Sequence, residues 1–262
     1  MSWHRQILPL ILIFSTVYAT AKECRVITLS NKSAELGVCP EHGRIVVFKL
    51  RQGRNVLWRN SGKLEVAILK GWKNYGGDKV WLIPQNMRPS AFGNRLPDSD
   101  IDGKPWRVIE QSKNSLTIQS RLSKVLGCFV ARTITLDPVK PIAIIENRVI
   151  QKKQTPFPIH IWQVSQVVKP EYAVIGLNNR IFPEQKPYFR HRGQKSGSKI
   201  TGTAKYIKIV LHQDCENASK TLDFAILFQI KLKVSNFIFL ANFQAKLSIK
   251  IYNNSAILQH II

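Results

Sequence analysis

The sequence predicts an all-β protein that is built from two large antiparallel sheets. Short segments that are rich in β-branched residues, or that alternate apolar with polar residues, recur along the chain. No long stretch shows the 3.6-residue period of a helix, and turn-forming Gly, Pro, Asn and Asp separate most of the segments. So many strands exceed one small sandwich and favour a large two-sheet assembly. The predicted strands cover residues 25–29, 34–38, 44–50, 63–69, 106–111, 115–120, 129–136, 142–150, 159–168, 172–177 and 206–212.

The N-terminal residues predict export. Basic residues precede an apolar segment at 7–18, and residues 19–21 read Ala-Thr-Ala, which places small residues where a signal peptidase cleaves. The apolar segment is too short to span a bilayer comfortably, so a removed signal peptide at 1–21 is favoured over a membrane anchor. We therefore expect a mature β-domain over 22–222, in the periplasm or outside the cell, without a transmembrane segment.

The four cysteines are Cys24, Cys39, Cys128 and Cys215. In an oxidising compartment an even number favours disulfides. A two-residue hairpin loop at 31–32 would place Cys24 opposite Cys39, where a disulfide is within reach. Cys128 and Cys215 would then pair with each other or stay free. No pair has C-x-x-C spacing, so we expect no metal site, and we expect no cofactor.

The net charge of +23 is large. A basic surface can simply keep an exported protein in solution, or it can attract acidic glycans and other polyanions. The segment from Arg180 to Lys208 favours the second interpretation, because it holds eight Lys or Arg residues against one acid. Its glycines and prolines indicate an exposed loop. Since it lacks the interleaved aromatic residues of a single-strand groove, we expect no specific recognition of nucleic acid.

The tail at 223–262 has an atypical composition. After Asp223 it contains no Asp, Glu, Gly or Pro, although apolar and polar residues still alternate at 228–234 and 243–251. One interpretation is that these are genuine strands that complete the sheets. The other, which we favour from the sequence, is that the tail results from a frameshift, because AT-rich codons read out of frame yield Ile, Lys, Asn and Phe. The fold would then be incomplete at its C-terminus.

Five segments follow one another in order within residues 26–168. They read GGDKVWLIPQ, PDSDIDGKPW, ARTITLDP, IIENRVI and IWQVSQ. Together they resemble a family of exported bacterial proteins, a domain of unknown function within the galactose mutarotase-like (aldose epimerase-like) group. The resemblance implies a β-supersandwich of two antiparallel sheets, with a carbohydrate cleft on the concave face of one sheet.

The first of these segments predicts part of a sugar-binding site. Asp78, Lys79 and Trp81 follow a Gly-Gly turn, Gln85 comes next, and Trp106 closes a proline-rich connection at 84–105. Carbohydrate sites combine flat aromatic faces with polar groups that bond hydroxyls. A connection this long is usually functional, so we expect it to form one cleft wall. The alternative is that both tryptophans are core residues and that Asp78 and Lys79 form a surface ion pair.

The segment IHIWQVSQ predicts the opposite wall. Alternation places His160, Trp162 and Gln166 on one face of a strand, with Gln163 and Ser165 on the other. A face with His, Trp and Gln is unusual for a core and is typical of a wet cleft. The comparable segment of sugar mutarotases holds the catalytic histidine, where this chain offers glutamine, and glutamine cannot transfer a proton usefully near neutral pH.

Candidates for acid–base chemistry are therefore weak. The resemblance implies a late glutamate as the base, but no acid follows Asp223. Asp78, Asp102 and Glu146 are possible substitutes, with His160 as the acid, although a lone His on a strand is more often structural. The sequence thus predicts carbohydrate binding without strong catalysis. The alternatives are an aldose 1-epimerase-like enzyme that acts on a hexose and a basic module that binds polyanions.

Overall fold

The structure of the protein is a computed structural model. It describes residues 24–60, 72–83 and 85–168, and beyond them the backbones of strands at 172–176, 199–202, 206–210, 224–229, 242–252 and 255–261. The predicted signal peptide at 1–21, the strand predicted at 63–69, Cys215 and most of the basic segment from Arg180 to Lys208 lie outside these described residues.

The described residues form fifteen strands, which are numbered in chain order. They are β1 (Ile27–Ser30), β2 (Ala34–Cys39), β3 (Arg44–Leu50), β4 (Asp78–Trp81), β5 (Arg107–Gln111), β6 (Ser115–Gln119), β7 (Cys128–Leu136), β8 (Ile142–Gln151), β9 (Trp162–Val167), β10 (Tyr172–Gly176), β11 (Lys199–Gly202), β12 (Tyr206–Val210), β13 (Phe224–Gln229), β14 (Asn242–Tyr252) and β15 (Ser255–Ile261).

The strands assemble into two sheets, as the sequence predicts. One sheet has six strands in the order β1-β2-β3-β4-β9-β13, and the other has nine in the order β11-β12-β10-β15-β14-β8-β7-β6-β5. Neighbouring strands of the described sheets run antiparallel, except that β10 and β15 are parallel. The predicted all-β, two-sheet architecture is therefore confirmed. Strand β4 was not predicted, because four residues directly after a turn are too few to show alternation.

Helices in the described residues are short and lie mainly in the proline-rich connection. This connection holds a 3₁₀ turn (Gln85–Met87), α1 (Arg88–Phe92) and α2 (Ser99–Asp102), so it is an ordered segment. The Asp98 carboxylate caps α2 by accepting a hydrogen bond from the Asp100 amide at 2.8 Å. None of the helices in the described part of the chain has the length and apolar character that a membrane crossing requires.

The main core lies between the two sheets. Alternate residues of each strand turn inward, and residues from both sheets belong to a single apolar cluster. Burial of each large aliphatic side chain stabilises the sandwich by about 1.5–3 kcal/mol. Members from the nine-stranded sheet include Val130, Ile134, Ala143, Ile145 and Val149, and members from the six-stranded sheet include Leu36, Val38, Val80 and Val167.

The hairpin of β1 and β2 turns later than the sequence predicts. Ser30 pairs with Glu35 rather than with Ser33, so the predicted loop at 31–32 is wrong. The side chain of Asn31 explains the difference. Its Oδ1 accepts hydrogen bonds from the amides of Ser33 and Ala34, each at 2.7 Å. An Asx turn of this kind fixes where the chain reverses.

The predicted disulfide between Cys24 and Cys39 is confirmed, with 5.7 Å between the two Cα atoms. In the observed register the two cysteines are diagonal neighbours rather than directly opposed, because Val38 pairs with Ile27. Cys128 is free and buried, which is one of the two outcomes that the sequence left open. Burial raises the pKa of its thiol to about 12, so the thiol stays neutral and unreactive near neutral pH.

The tail supplies strands to both sheets. Strand β13 pairs with β9, β14 pairs with β8, and β15 lies between β14 and β10. This geometry matches the interpretation in which the tail completes the sheets. The frameshift origin of the tail sequence is a separate matter and stays a prediction.

We predict that a chain that stops after Leu222 does not fold cooperatively. The β14–β8 ladder contains nine residue pairs and the β13–β9 ladder contains six, so their removal exposes a long edge in each sheet. Circular dichroism melting curves of the full and shortened chains check this. A shortened chain that melts as cooperatively as the full chain, at the same temperature, would show that the tail is not part of the fold, as the frameshift interpretation requires.

Candidate functional site

Two glycines position the start of β4. Gly76 and Gly77 both have positive φ, at 77° and 71°. A Cβ on Gly77 would lie 2.2 Å from the carbonyl oxygen of Ile45, and one on Gly76 would lie 2.3 Å from that of Trp58. Only glycine tolerates both the backbone conformation and the close approach. The Gly-Gly turn therefore delivers Asp78 to the first position of the strand.

Strands β4 and β9 send alternate side chains to opposite faces of the six-stranded sheet. Asp78 lies opposite Ser165 and Trp81 lies opposite Trp162. Asp78, Gln163 and Ser165 face the nine-stranded sheet, and the outward face carries Lys79, Trp81, Trp162, Val164 and Gln166. The alternation predicted for β9 is thus observed. The predicted site residues Asp78 and Lys79, however, lie on different faces.

Asp78 is the centre of a polar network between the sheets. Its carboxylate pairs with the Arg132 guanidinium and accepts hydrogen bonds from Gln163 Nε2, at 2.9 and 2.8 Å, and from Ser165 Oγ at 2.5 Å. Arg132 Nε donates to Asn147 Oδ1 at 2.8 Å, and Asn147 Nδ2 donates to Gln163 Oε1 at 2.7 Å. We call these five residues the inter-sheet network.

The inter-sheet network explains why Asp78 is unsuited to the role predicted for it. Asp78 and Arg132 both have an exposed fraction of 0%. A carboxylate that is saturated by protein donors and closed to solvent has no oxygen left for a sugar hydroxyl or a substrate proton. The alternative prediction of a surface ion pair between Asp78 and Lys79 is wrong too, because both residues are buried and the partner of Asp78 is Arg132.

The outward face of β4 and β9 holds an aromatic group that we call the tryptophan cluster. It consists of Trp72, Trp81 and Trp162 with Lys79 and Gln166. The indoles of Trp81 and Trp162 meet edge to face, with 5.9 Å between ring centroids. Lys79 Nζ lies 5.0 Å from the Trp81 ring and 5.7 Å from the Trp72 ring, and donates to Gln166 Oε1 at 2.8 Å. Aromatic rings and polar groups therefore converge on one face of the six-stranded sheet, and of these five residues only Trp72 is more than slightly exposed.

Asp102 ties the proline-rich connection to the tryptophan cluster. Its Oδ2 accepts hydrogen bonds from the indole N–H groups of Trp81 at 2.9 Å and Trp72 at 3.1 Å. Its Oδ1 pairs with Arg44 Nη2 at 2.5 Å, and Arg44 Nη1 donates to the carbonyl of Gly76 at 2.9 Å. The carboxylate thus holds two indoles in place while a buried arginine neutralises it.

Arg88, at the start of α1, stacks on the same cluster. The guanidinium carbon lies 4.3 Å from the centroid of the Trp81 ring. Burial lowers the pKa of Arg88 to about 10, so the side chain is still a cation near neutral pH. Arg88, Trp81 and Asp102 line a small pocket together with Leu82, Ile83, Phe92, Pro97, Asp98, Ile101 and Leu126.

Trp106 and Glu146, two further predicted site residues, lie apart from the cluster. Trp106 is a core residue whose Nε1 donates to the Ile101 carbonyl at 2.8 Å, as the alternative interpretation expected. Glu146 occupies the outward face of the nine-stranded sheet, opposite to its inward neighbour Asn147. His160 precedes β9, and its amide donates to the carbonyl of Leu82 at 2.8 Å. Gln85 begins a 3₁₀ turn, and its side chain lies outside the described residues.

Sequence reasoning missed Trp72, Arg44 and Arg88. An isolated Trp four residues before the Gly-Gly turn was a usable signal, because that turn opens the segment singled out for the site. The two arginines gave no signal in a chain with 39 basic residues. Asp102 was named only as a possible base. Its contacts show a residue that positions the indoles.

Comparisons with known proteins concern the fold alone. No protein-family model matches the chain, and no curated protein sequence does. Among solved structures, the Slr1438 protein of Synechocystis sp. PCC 6803 matches with a TM-score of 0.44 and 16% identity, over 58% of each chain. A galactose mutarotase-like protein of Lactobacillus casei ATCC 334 matches with a TM-score of 0.38 and 11% identity, over 55% of this chain and 50% of its own. The chain thus spans less than two thirds of either structure.

We predict that Asp78→Ala destabilises the domain by about 3–5 kcal/mol, because it leaves the Arg132 cation buried without its partner. Chemical denaturation followed by tryptophan fluorescence measures the change. Glu35→Ala is the matched control, since Glu35 pairs with Lys49 and Arg51 at the surface, where ion pairs contribute little. Equal midpoints for the two variants would contradict the structural role assigned to Asp78.

Proposed function

We propose that the protein is exported and binds carbohydrate on the tryptophan cluster, without strong catalysis. The observation that carries the proposal is the convergence of three indoles, a lysine and a glutamine on the outward face of β4 and β9. Flat aromatic faces pack against the C–H face of a sugar. Lys79 and Gln166 are buried and bond each other, so in this proposal they hold the indoles in position and the rings make the contact with the sugar. The sequence-based expectation of a sugar site is thereby kept, but with Asp78 and Trp106 removed from it.

Trp72 is the indole that a ligand would meet first. Trp81 and Trp162 have exposed fractions of only 9% and 7%, whereas Trp72 is half-buried and packs against the cluster that they form with Val164. Its N–H is already bonded to Asp102, which fixes the plane of its ring. A preoriented aromatic face binds with a lower entropic cost than a mobile one. Trp72 is therefore the residue on which the proposal can be tested with the least disturbance to the fold.

The same contacts speak against the epimerase alternative. That chemistry needs a carboxylate base and an acid beside one sugar. Of the three carboxylates considered, Asp78 lies between the sheets, Glu146 lies on the other sheet, and both oxygens of Asp102 accept bonds from Arg44 and two indoles. Among the described residues these candidates supply no base at the tryptophan cluster. We therefore propose binding as the main activity.

The polyanion alternative rests on the net charge of +23 and on the segment from Arg180 to Lys208. Most of this segment lies outside the described residues, so it stays a prediction. Salt dependence separates the two functions. Affinity for a polyanion falls steeply between about 50 mM and about 200 mM salt, whereas affinity for a neutral sugar hardly changes.

We predict that Trp72→Ala weakens sugar binding about tenfold, equivalent to about 1.4 kcal/mol, without unfolding the domain. A glycan array on the mature protein identifies the sugar, and calorimetric titration then measures its dissociation constant. Trp72→Phe keeps a flat face and should retain most of the affinity. Trp58→Ala is the control, because Trp58 is also half-buried but does not pack against the cluster.

Two results would contradict the proposal. One is a Trp72→Ala variant that melts like the parent and binds the sugar with unchanged affinity, which would place the ligand elsewhere. The other is an array on which the folded protein retains no saccharide.

A further inference from the structure

The residues around Trp81 include buried hydrogen-bond donors that have no partner. Arg44 Nε, Arg88 Nη2 and Trp162 Nε1 are buried N–H groups without an acceptor. No side-chain oxygen in the described part of the chain is in the same state. All three residues contact Trp81 or its partner Asp102. The local imbalance is therefore an excess of donors, which an acceptor from outside the protein would correct.

Arg88 is the most exceptional of the three. It has an exposed fraction of only 3%, yet it makes no ion pair with any described carboxylate. Its one hydrogen bond within the described residues runs from Nη1 to the Arg95 carbonyl and is long, at 3.5 Å. A buried guanidinium normally has a carboxylate or phosphate partner, because the loss of hydration is costly otherwise.

The two acids beside Arg88 in the pocket form no ion pair or hydrogen bond with it. Both oxygens of Asp102 are occupied by Arg44 and the two indoles. Burial raises the pKa of Asp98, and its carboxyl is engaged by Ser123 Oγ at 2.5 Å and by the amide of Asp100. Arg88 Nη2 therefore lines the pocket without a hydrogen-bond acceptor, although the Asp102 charge nearby favours the cationic guanidinium and raises the pKa of Arg88 against the effect of burial.

We propose that the tryptophan cluster takes an acidic saccharide, and that Arg88 binds the carboxylate of its uronate ring. The inference rests on the proposed function, since it names the class of sugar for the same site. A planar guanidinium matches a carboxylate with two parallel N–H···O bonds. Because the Arg88 guanidinium stacks on Trp81, a carboxylate bound to it lies beside the indoles that hold the sugar ring. The ligand then supplies the acceptor that Arg88 Nη2 lacks.

The test compares matched sugars by calorimetry on the mature protein. The probes are D-glucuronate against D-glucose and D-galacturonate against D-galactose, with glucose 6-phosphate as a separate arm for a phosphate group. We expect each uronate to bind at least about tenfold more tightly than its neutral partner, with a preference that shrinks as salt rises. Tighter binding of glucose 6-phosphate than of glucuronate would assign Arg88 to a phosphate and overturn the carboxylate assignment.

Substitution of Arg88 tests whether this residue binds the carboxylate of the sugar. Arg88→Gln should abolish the preference for uronate while neutral sugars still bind, and Arg88→Lys should retain only part of it, because an ammonium cannot form the paired bonds. Arg54→Gln is the control, since this substitution removes the same charge from an exposed position. A preference that survives Arg88→Gln would place the anion elsewhere, such as on the segment from Arg180 to Lys208, and would overturn the proposal.

If a variant fails to fold, the sugar affinities of the unsubstituted protein still test the inference. Equal affinities for glucuronate and glucose would overturn the inference and leave the proposed carbohydrate function standing. Absence of binding to all of these sugars would also overturn the inference, whereas the proposed function falls only if the glycan array retains no saccharide.

Discussion

The ion pair between Asp78 and Arg132 is the interaction on which the rest of the structure depends. It joins the first residue of a short strand in the six-stranded sheet to the middle of β7 in the nine-stranded sheet, and both side chains are fully buried. Such a pair contributes little net stability over apolar packing. It does fix the pairing register of β4, because a shift of one residue would leave an arginine unpaired in the core. With Asp78 fixed inward, alternation sends Lys79 and Trp81 outward.

A second ion pair determines what the outward residues can do. Arg44 and Asp102 join β3 to α2 of the proline-rich connection, and Asp102 holds the indoles of Trp72 and Trp81 by their N–H groups. The arrangement is preorganised, since each ring is oriented by a group that is itself locked by a buried charge. The cluster is therefore a rigid aromatic surface beside an unpaired cation, Arg88, and this combination of stacking face and positive charge underlies both proposals.

The sequence predicted the sheets well and the site in part, and particular residues explain why. Strands such as β7 and β8 are long enough for alternation to show, and the alternation in β9 correctly separated Trp162 from Gln163. Asp78 and Lys79 were assigned to one site because they are adjacent in sequence, although adjacent strand residues face opposite ways. Arg132 and Asp102 were beyond prediction, because each acts through a contact with a residue more than twenty positions away that no local pattern encodes.

The central claim is that β4 divides its side chains between a structural inward face and a ligand-binding outward face. A crystal structure of the protein with a bound saccharide tests it most directly. We expect the sugar ring against Trp72 on the outward face, with Asp78 still paired to Arg132 between the sheets. A sugar whose hydroxyls bond the Asp78 carboxylate, or one that lies on the nine-stranded sheet beside Glu146, would contradict the account.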